Sequence, residues 1–307
     1  MPSLRARLIG SMLRNRHLFK KKQPIDWDTL EAVQDFRREV EAGAARFGKL
    51  PAGITASPEP IGDLYAEWIS PANPRPNRIL LYFHGGGYVS GTCAAHRGIV
   101  AKFVHGSNVR ALVFEYRLAP ENPYPAALDD ALTAYQHLLA QDIPAHNIVF
   151  AGDSGGGGLC LSTLLAIRDR GLPLPFRAVV LSPYTDLLCT GKSHEMNLKR
   201  CLSPEGTPQA FGRHYAGSND PRLPYISPYY GGLHGLPPML IFAGSDEVLL
   251  DDSRMFAEKA RQAGVDVTLR IGEGLFHCYP AMAPMFPEAT QAMDEIIKFI
   301  SATCESP

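Results

Sequence analysis

The sequence predicts an α/β protein whose mostly parallel central sheet is covered by helices on both faces. Two observations indicate this fold class. Short runs of β-branched and aromatic residues alternate with helical segments along most of the 307 residues, and several of these runs are continuously apolar. Continuously apolar strands are typical of parallel sheets that are buried on both faces. A hydrophobic content of 45% is ample for such a core.

The strands and helices can be assigned in order along the chain. Strands are predicted at residues 64–69, 79–83, 111–114, 148–151, 178–181, 239–243 and 267–271. Helices are predicted at residues 92–106, 126–139, 156–170, 252–263 and 287–302. Two segments, at about residues 1–50 and 184–223, have no convincing strand. Their apolar spacing predicts helices at residues 27–47, 197–202 and 208–216.

The segment Gly152-Asp153-Ser154-Gly155-Gly156 follows the apolar run at residues 148–151. A G-x-S-x-G sequence between a strand and a helix is typical of a nucleophile elbow, in which a sharp turn exposes the serine hydroxyl. A glycine-rich turn without a catalytic role is the alternative, because a chain with 28 glycines produces such matches by chance. Ser154 is therefore a candidate nucleophile that needs a base and an oxyanion site to support it.

A second glycine cluster, His84-Gly85-Gly86-Gly87, directly follows the run at residues 79–83. Glycines at this point let backbone N–H groups face a cleft without side chains in the way, as stabilisation of an oxyanion requires. We therefore assign Gly86 and Gly87 to an oxyanion hole that the N–H of Gly155 completes. A phosphate-binding loop is the competing interpretation, but neither cluster has the Lys-Ser/Thr of a P-loop or the spacing of a dinucleotide-binding loop.

Candidates for the acid and the base lie in the C-terminal third, in the order serine, acid, histidine. Asp246 and Glu247 follow the run at residues 239–243, and His277 follows the run at residues 267–271. In open α/β sheets, ligands bind outside the carboxyl ends of the strands. Of the ten histidines, His277 alone follows both the serine and an acidic strand end and also follows a strand of its own. It is the candidate general base.

Together, these motifs resemble the hormone-sensitive-lipase-like family of α/β-hydrolase esterases. The resemblance covers most of the chain. The matching segments, in the family's order, are HGGG at 84–87, YRLAPE at 116–121, PAALDD at 125–130, GDSGGG at 152–157, Ser182-Pro183, and the acid and histidine segments. The resemblance implies an α/β-hydrolase fold, a triad of serine, acid and histidine, a glycine-rich oxyanion loop and a helical cap. Residues 1–50 and 185–222 would form the cap, and residues 51–184 and 223–307 the catalytic core.

The resemblance also favours one of the two acids. The family commonly has Asp-Pro-Leu-x-Asp at this point, and aligning its leucine and second aspartate with this chain puts Glu247 on the catalytic aspartate. Asp246 would need a shift of one residue, and it is the alternative. We therefore predict Ser154, Glu247 and His277 as the triad, since either Asp or Glu can orient and stabilise the histidine.

The elbow departs from the family pattern at Gly155 and Gly158, where relatives often carry alanine and asparagine. Each glycine costs about 1 kcal/mol relative to alanine in a helix interior, and less in the first turn. We therefore expect that close packing or pocket space offsets the cost of these glycines.

Cysteine usage and charge exclude other classes of function. Cys93, Cys160, Cys189, Cys201, Cys278 and Cys304 have no metal-binding or redox spacing. We expect free thiols in a reducing, cytoplasmic compartment, and neither a metal nor a cofactor. A net charge of −1 provides no general field for nucleic acid, so no nucleic-acid partner is expected.

The first 22 residues carry seven Lys or Arg and no acid. Their apolar stretch around Leu8 is too short for a signal peptide or a membrane-spanning segment, although a basic, acid-free start resembles a transit peptide. We interpret this stretch as a cap helix and expect no stable membrane insertion. Transient contact with a membrane surface stays open, because a basic amphipathic helix can lie in the headgroup region.

The sequence therefore predicts a serine carboxylesterase that hydrolyses small, mainly short-chain acyl esters through an acyl-enzyme. An amidase or an acyltransferase with the same triad is an open alternative. A non-catalytic small-ligand receptor on the same scaffold is another, which the presence of His277 disfavours. A small-molecule ester is the expected ligand, and formation of a homo-oligomer is left open.

Overall fold

The computed structural model describes residues 2–15, 25–47, 50–76 and 78–302. Within these ranges, eight strands form one sheet in the order β1-β2-β4-β3-β5-β6-β7-β8. The strands are β1 (Ile54–Pro58), β2 (Ala66–Pro71), β3 (Ile79–Phe83), β4 (Arg110–Phe114), β5 (Ile148–Asp153), β6 (Arg177–Leu181), β7 (Met239–Gly244) and β8 (Val267–Gly272). The seven predicted strands are all formed, with bounds that differ by at most two residues.

Most of the sheet is parallel, as predicted. The pairs from β4 through β3 to β8 are parallel, whereas β2 runs antiparallel to both β1 and β4. Strand β1 was not predicted, because this edge strand has one buried residue, Ile54, followed by three small residues and Pro58. Such a strand has neither the apolar run nor the clear alternation that predicts a strand.

Nine α-helices are described, and five of them match the helices predicted between the strands. They are α1 (Leu4–Arg14), α2 (Leu30–Phe47), α3 (Cys93–Ser107), α4 (Ala126–Ala140), α5 (Ser154–Asp169), α6 (Ser193–Met196), α7 (Thr207–Ala216), α8 (Leu250–Gln262) and α9 (Pro287–Ser301). The prediction of a helix at 197–202 was wrong. The helix ends at Met196, and the side chain of the next residue, Asn197, donates to backbone carbonyls of a neighbouring loop.

The core consists of two apolar clusters, one on each face of the sheet. Successive residues of β3 alternate between them: Leu81 and Phe83 face the cluster that includes α4, α5 and α8, while Leu80 and Tyr82 face the cluster that includes α3 and α9. Every residue of β3 is buried. This burial on both faces explains why the strand is continuously apolar in sequence.

The two N-terminal helices pack against different parts of the molecule. Val33 of α2 belongs to the cluster with α4 and α5. Helix α1 lies against the opposite cluster, and the Ser3 hydroxyl before it donates to Glu288 of α9 at 2.8 Å. The division into a cap at 1–50 and 185–222 and a core elsewhere stays a prediction. In the ranges that the structure describes, no helix is both long and apolar enough to cross a membrane.

Candidate active site

The predicted site residues lie at the carboxyl ends of parallel strands. Ser154 follows β5 directly, Glu247 lies three residues beyond β7, His277 follows β8, and the glycine cluster begins where β3 ends. Because these strands run in the same direction, the segments that follow them emerge at one edge of the sheet. The parallel sheet thus gathers side chains that are far apart in sequence.

Ser154 occupies the turn between β5 and α5. Its φ angle is 54°, in the left-handed region that non-glycine residues rarely adopt. A strained turn of this kind is typical of a nucleophile elbow. The Ser154 carbonyl accepts the N–H of Tyr184 at 3.0 Å, which holds the turn against the chain that follows β6.

The glycine loop after β3 is tied to the elbow through Asp153. One carboxylate oxygen of Asp153 accepts the N–H of Gly85 at 3.0 Å and the hydroxyl of Tyr82 at 2.7 Å. Gly86 and Gly87 have φ angles of 122° and 63°, which L side chains rarely adopt. The backbone of this loop is therefore fixed relative to Ser154, as pre-organised oxyanion donors require.

His84 at the start of this loop is buried and stacks on Tyr116, with their ring centroids 4.1 Å apart. The Tyr116 hydroxyl donates to the His84 carbonyl at 2.9 Å. Burial, together with the nearby His96, lowers the pKa of His84 to about 3. A neutral, stacked imidazole supports the loop mechanically and does not take part in proton transfer at neutral pH.

The structure brings Glu247 to His277. The Oε2 atom of Glu247 lies 2.7 Å from Nδ1 of His277, and its Oε1 atom accepts the N–H of Gly244 at 3.1 Å. Glu247 is fully buried, whereas His277 lines a cavity that also contains Ser154. With Nδ1 held by the carboxylate, Nε2 is the ring nitrogen left for proton transfer.

Asp246, the alternative acid, points elsewhere. Its carboxylate pairs with Arg14 of α1 at 2.8 Å and lies 3.7 Å from Arg200. The two candidate acids therefore have different partners: Glu247 contacts His277, and Asp246 contacts arginines.

The charges around His277 favour its protonated form. Burial acts against a charged imidazole, but the contact with the Glu247 carboxylate helps to raise the pKa of His277 well above its usual 6.5. Burial also raises the pKa of Cys278, although His277 opposes this shift. Cys278 is therefore a neutral thiol at neutral pH, which makes it a poor competitor of Ser154 as nucleophile.

Three side chains that were not predicted as site residues hold the acid and histidine loops together. The Asn197 side chain donates to the carbonyls of Ser245 and Glu247, each at 2.9 Å. The Ser245 hydroxyl accepts the N–H of Gly274 at 2.7 Å, and the Ser182 hydroxyl accepts that of Cys278 at 2.9 Å. A single asparagine or serine carries no local sequence signal for such a contact between distant loops.

The cavity at this edge has a volume of about 960 Å³ and is lined by Gly86, Gly87, Ser154 and His277. Three aromatic rings form part of its wall: those of Trp27 and Phe36 from the N-terminal segment and that of Phe211 from α7. Their ring centroids are 5.2 to 5.9 Å apart. A Cβ on Gly87 would lie 2.5 Å from the Phe211 ring, so this wall closes tightly over the glycine loop.

Close packing accounts for the two unusual glycines of the elbow. A Cβ on Gly155 would lie 2.9 Å from the backbone nitrogen of Gly87, so α5 and the glycine loop are already in contact. A Cβ on Gly158 would clash with the carbonyl of Tyr184 and the hydroxyl of Tyr88. Of the two explanations that the sequence offered, the structure favours close packing over pocket space.

A metal site would need a cluster of ligating side chains among the described residues. Among them, no group of three or more His, Cys, Asp or Glu side chains has the arrangement needed to hold a metal ion.

Comparisons with known proteins agree with this geometry. A family described as the alpha/beta hydrolase fold matches residues 80–281. An acetyl-hydrolase of Streptomyces hygroscopicus is 38% identical over 274 residues, which cover 88% of this chain and 90% of that protein. An esterase of Acinetobacter venetianus is 36% identical over 234 residues, which cover 75% of this chain and 77% of that protein.

Solved structures extend the similarity to the whole fold. The crystal structure of an esterase from the bacterial hormone-sensitive lipase family superposes with a TM-score of 0.88 at 34% identity, covering 98% of both chains. An esterase/lipase from an uncultured bacterium gives the same TM-score and identity over 97% of this chain and 98% of that one. The chain therefore belongs to the hormone-sensitive-lipase-like family of α/β-hydrolase esterases and is a carboxylic ester hydrolase.

Proposed function

We propose that this ester hydrolase is a serine carboxylesterase that acts on small, mainly short-chain acyl esters through a triad of Ser154, Glu247 and His277. The observation that carries the proposal is the 2.7 Å contact between Glu247 and Nδ1 of His277, beside the cavity that Ser154 also lines. A carboxylate at Nδ1 orients the imidazole so that Nε2 can act as the base.

In the proposed reaction, Nε2 of His277 takes the hydroxyl proton of Ser154 as its oxygen attacks the ester carbonyl carbon. The N–H groups of Gly86, Gly87 and Gly155 donate to the oxyanion that forms. The intermediate then collapses, the bond to the alcohol breaks, and His277 returns the proton to the leaving alcohol. Water repeats both steps on the acyl-enzyme and releases the acid, with Glu247 stabilising the imidazolium each time.

The preference for short acyl groups rests on the aromatic wall. Phe211 lies against Gly87 and leaves little room beside the proposed oxyanion donors. Trp27 and Phe36 support its ring in edge-on and tilted contacts. The name of the Streptomyces relative, an acetyl-hydrolase, and a related structure soaked with p-nitrophenyl butyrate support a small acyl group.

We propose that the segments at 1–50 and 185–222 form the cap. In support, the cavity is lined from both segments, by Trp27 and Phe36 from the first and by Phe211 from the second. A cap of this kind excludes water from the acyl-enzyme and shapes the acyl and alcohol subsites.

A cytoplasmic location is also proposed. In the part of the chain that the structure describes, the five cysteines are free thiols, which is typical of a reducing compartment. Cys304, the sixth, lies outside the described residues. Fractionation of cells that produce the full chain tests this proposal directly.

A series of p-nitrophenyl esters from acetate through butyrate and octanoate to laurate tests the substrate class. We expect kcat/KM to be highest for the short esters and to fall for the longer ones. Phe211→Ala should shift this preference toward longer chains, while Ser154→Ala should abolish turnover of all of them. A flat series in both wild type and Phe211→Ala would contradict the short-chain proposal.

The alternative activities need matched substrates. An anilide with the same acyl group measures amidase activity, and added alcohol measures acyl transfer through the yield of the new ester. We expect the ester to be hydrolysed much faster than the anilide and water to be the main acceptor. Tight binding of the ester without turnover would instead favour a receptor on the same scaffold.

A further inference from the structure

Helix α1 packs on the protein through small residues and through Ile9 and Leu13, which are partly buried, but it turns three other large apolar residues outward. Ala6 and Gly10 are buried. Leu4, Leu8 and Met12 are 70%, 57% and 74% exposed. A helix that served only to pack against the core would not leave three large apolar side chains in solvent.

The orientation of α1 is fixed by contacts at both ends. The Ser3 hydroxyl donates to Glu288 of α9 at 2.8 Å, and Arg14 pairs with Asp246 at 2.8 Å. Between them the helix approaches the body closely, because a Cβ on Gly10 would lie 3.6 Å from the Phe276 ring. Leu4 and Leu8 therefore face outward while α1 is packed against the protein.

The exposed apolar residues form a stripe with arginines on both sides. Leu4, Leu8 and Met12 are spaced by four residues, so they lie on one face of the helix. By helical geometry Arg5 and Arg7, both exposed, lie on opposite sides of this stripe. The helix contains no acid, and the first 22 residues of the chain carry seven Lys or Arg and no Asp or Glu.

We propose that this outer face of α1 docks on an anionic lipid surface. The leucines and the methionine would enter the boundary between headgroups and acyl chains, while the arginines contact lipid phosphates. The arginines beside the apolar stripe favour an anionic lipid surface over a second copy of this chain as the partner. A second copy of this chain has a net charge of only −1 over 307 residues, so it offers no comparable anionic field.

Docking through α1 would also bring the cavity near the lipid surface. Arg14 at the end of the helix pairs with Asp246, the residue before Glu247. Ile25, which lines the cavity, is 51% exposed. Esters dissolved in the membrane would then be close to the cavity, although the binding proposal does not depend on the catalytic roles proposed above.

Flotation of the full chain with lipid vesicles tests the proposal. One vesicle preparation is phosphatidylcholine alone, and the other contains about a quarter phosphatidylglycerol to supply the anionic charge. We expect the wild type to float with the anionic vesicles and to be released by high salt. Leu8→Glu and the double variant Arg5→Glu, Arg7→Glu should each lower the partition coefficient about tenfold or more.

Leu223→Glu is the matched control, because Leu223 is 40% exposed and lies outside α1. It should bind as the wild type does. Hydrolysis of a water-soluble ester should be unchanged in Leu8→Glu and in the control, which shows that both are folded. Failure of the wild type to float with anionic vesicles, or equal binding by Leu8→Glu, would overturn the proposal. The proposal would also be overturned if the wild type formed a dimer, and if Leu8→Glu dissociated that dimer while lipid binding stayed unchanged.

Discussion

The Oε2 atom of Glu247 lies 2.7 Å from Nδ1 of His277. The neighbouring Asp246 has its carboxylate on Arg14 and Arg200 instead. The two adjacent acids therefore have separate environments: Glu247 is fully buried and contacts His277, whereas Asp246 is 8% exposed and contacts arginines. This separation makes the identity of the triad acid testable with conservative amide substitutions.

Glu247→Gln should lower kcat/KM by about 10²- to 10⁴-fold, because an amide does not stabilise the imidazolium and can favour the wrong tautomer. Asp246→Asn should change kcat/KM less than about tenfold, because its carboxylate contacts Arg14 and Arg200 and not His277. Steady-state kinetics of both variants on one short ester measure the difference. A large loss of kcat/KM in Asp246→Asn, with kcat/KM near normal in Glu247→Gln, would contradict the assignment of Glu247 as the triad acid.

The pH dependence of the reaction follows from the raised pKa of His277. The base form is the neutral imidazole, so kcat/KM should rise as the pH passes through the pKa of His277, and the midpoint should lie above 6.5. Glu247→Gln removes one cause of the raised pKa, so its midpoint should move to lower pH. A pH profile of kcat/KM on a non-ionising ester checks both expectations, and a midpoint below 6.5 in the wild type would contradict them.

The buried pair of His194 and Asp252 predicts a pH-dependent stability. Burial opposes a charge on His194, but its 2.8 Å contact with Asp252 helps to raise the pKa of His194 to about 10. A histidine whose pKa is raised on folding stabilises the protein fully below its unfolded pKa of about 6.5. That contribution is lost as the pH rises toward 10.

His194→Ala should therefore lower the free energy of unfolding by about 3–5 kcal/mol at slightly acid pH, and by less as the pH rises. His137→Ala is the control, because His137 contacts Glu59 at 3.0 Å in a partly exposed site and should cost about 1 kcal/mol or less. Urea denaturation across this pH range measures both. A cost for His194→Ala that grows with pH would contradict the assignment.

The packing of the elbow predicts opposite effects of one substitution at two glycines. Gly158→Ala should destabilise the protein, because the new methyl group would clash with the Tyr184 carbonyl. Gly43→Ala in α2 meets nothing within 4 Å, so it should gain up to about 1 kcal/mol from helix propensity alone. Thermal unfolding of the two variants compares them, and a Gly158→Ala variant as stable as Gly43→Ala would exclude the packing explanation.

The strands and their order along the chain were predictable because a parallel sheet leaves a strong local signal. The run Ile79–Phe83 is apolar at every position, and its residues are buried on both faces. The edge strand Ile54–Pro58 left no such signal, since a half-exposed edge tolerates polar residues. Strand β8 was predicted although only its first residue, Val267, is buried, because apolar and polar residues alternate from Val267 to Ile271.

The candidate site was predictable to the extent that its residues belong to compact motifs. Ser154 and the glycine loop each carry a local pattern, and chain order pointed to His277. The contact of Asn197 with two carbonyls of the acid loop, and that of Tyr82 with Asp153, depend on how distant segments meet in space. The exposed apolar stripe of α1 could not be predicted either, because the sequence shows that the helix is amphipathic but not which side faces the protein.

Covalent labelling of the nucleophile tests the central claim most directly. Phenylmethylsulfonyl fluoride reacts with activated serines, so it should inactivate the enzyme with one adduct per chain, and peptide mass spectrometry should locate that adduct on Ser154. His277→Ala should react far more slowly, because it lacks the base. Inactivation with the adduct on another residue, such as Cys278, or full turnover by Ser154→Ala, would contradict the account.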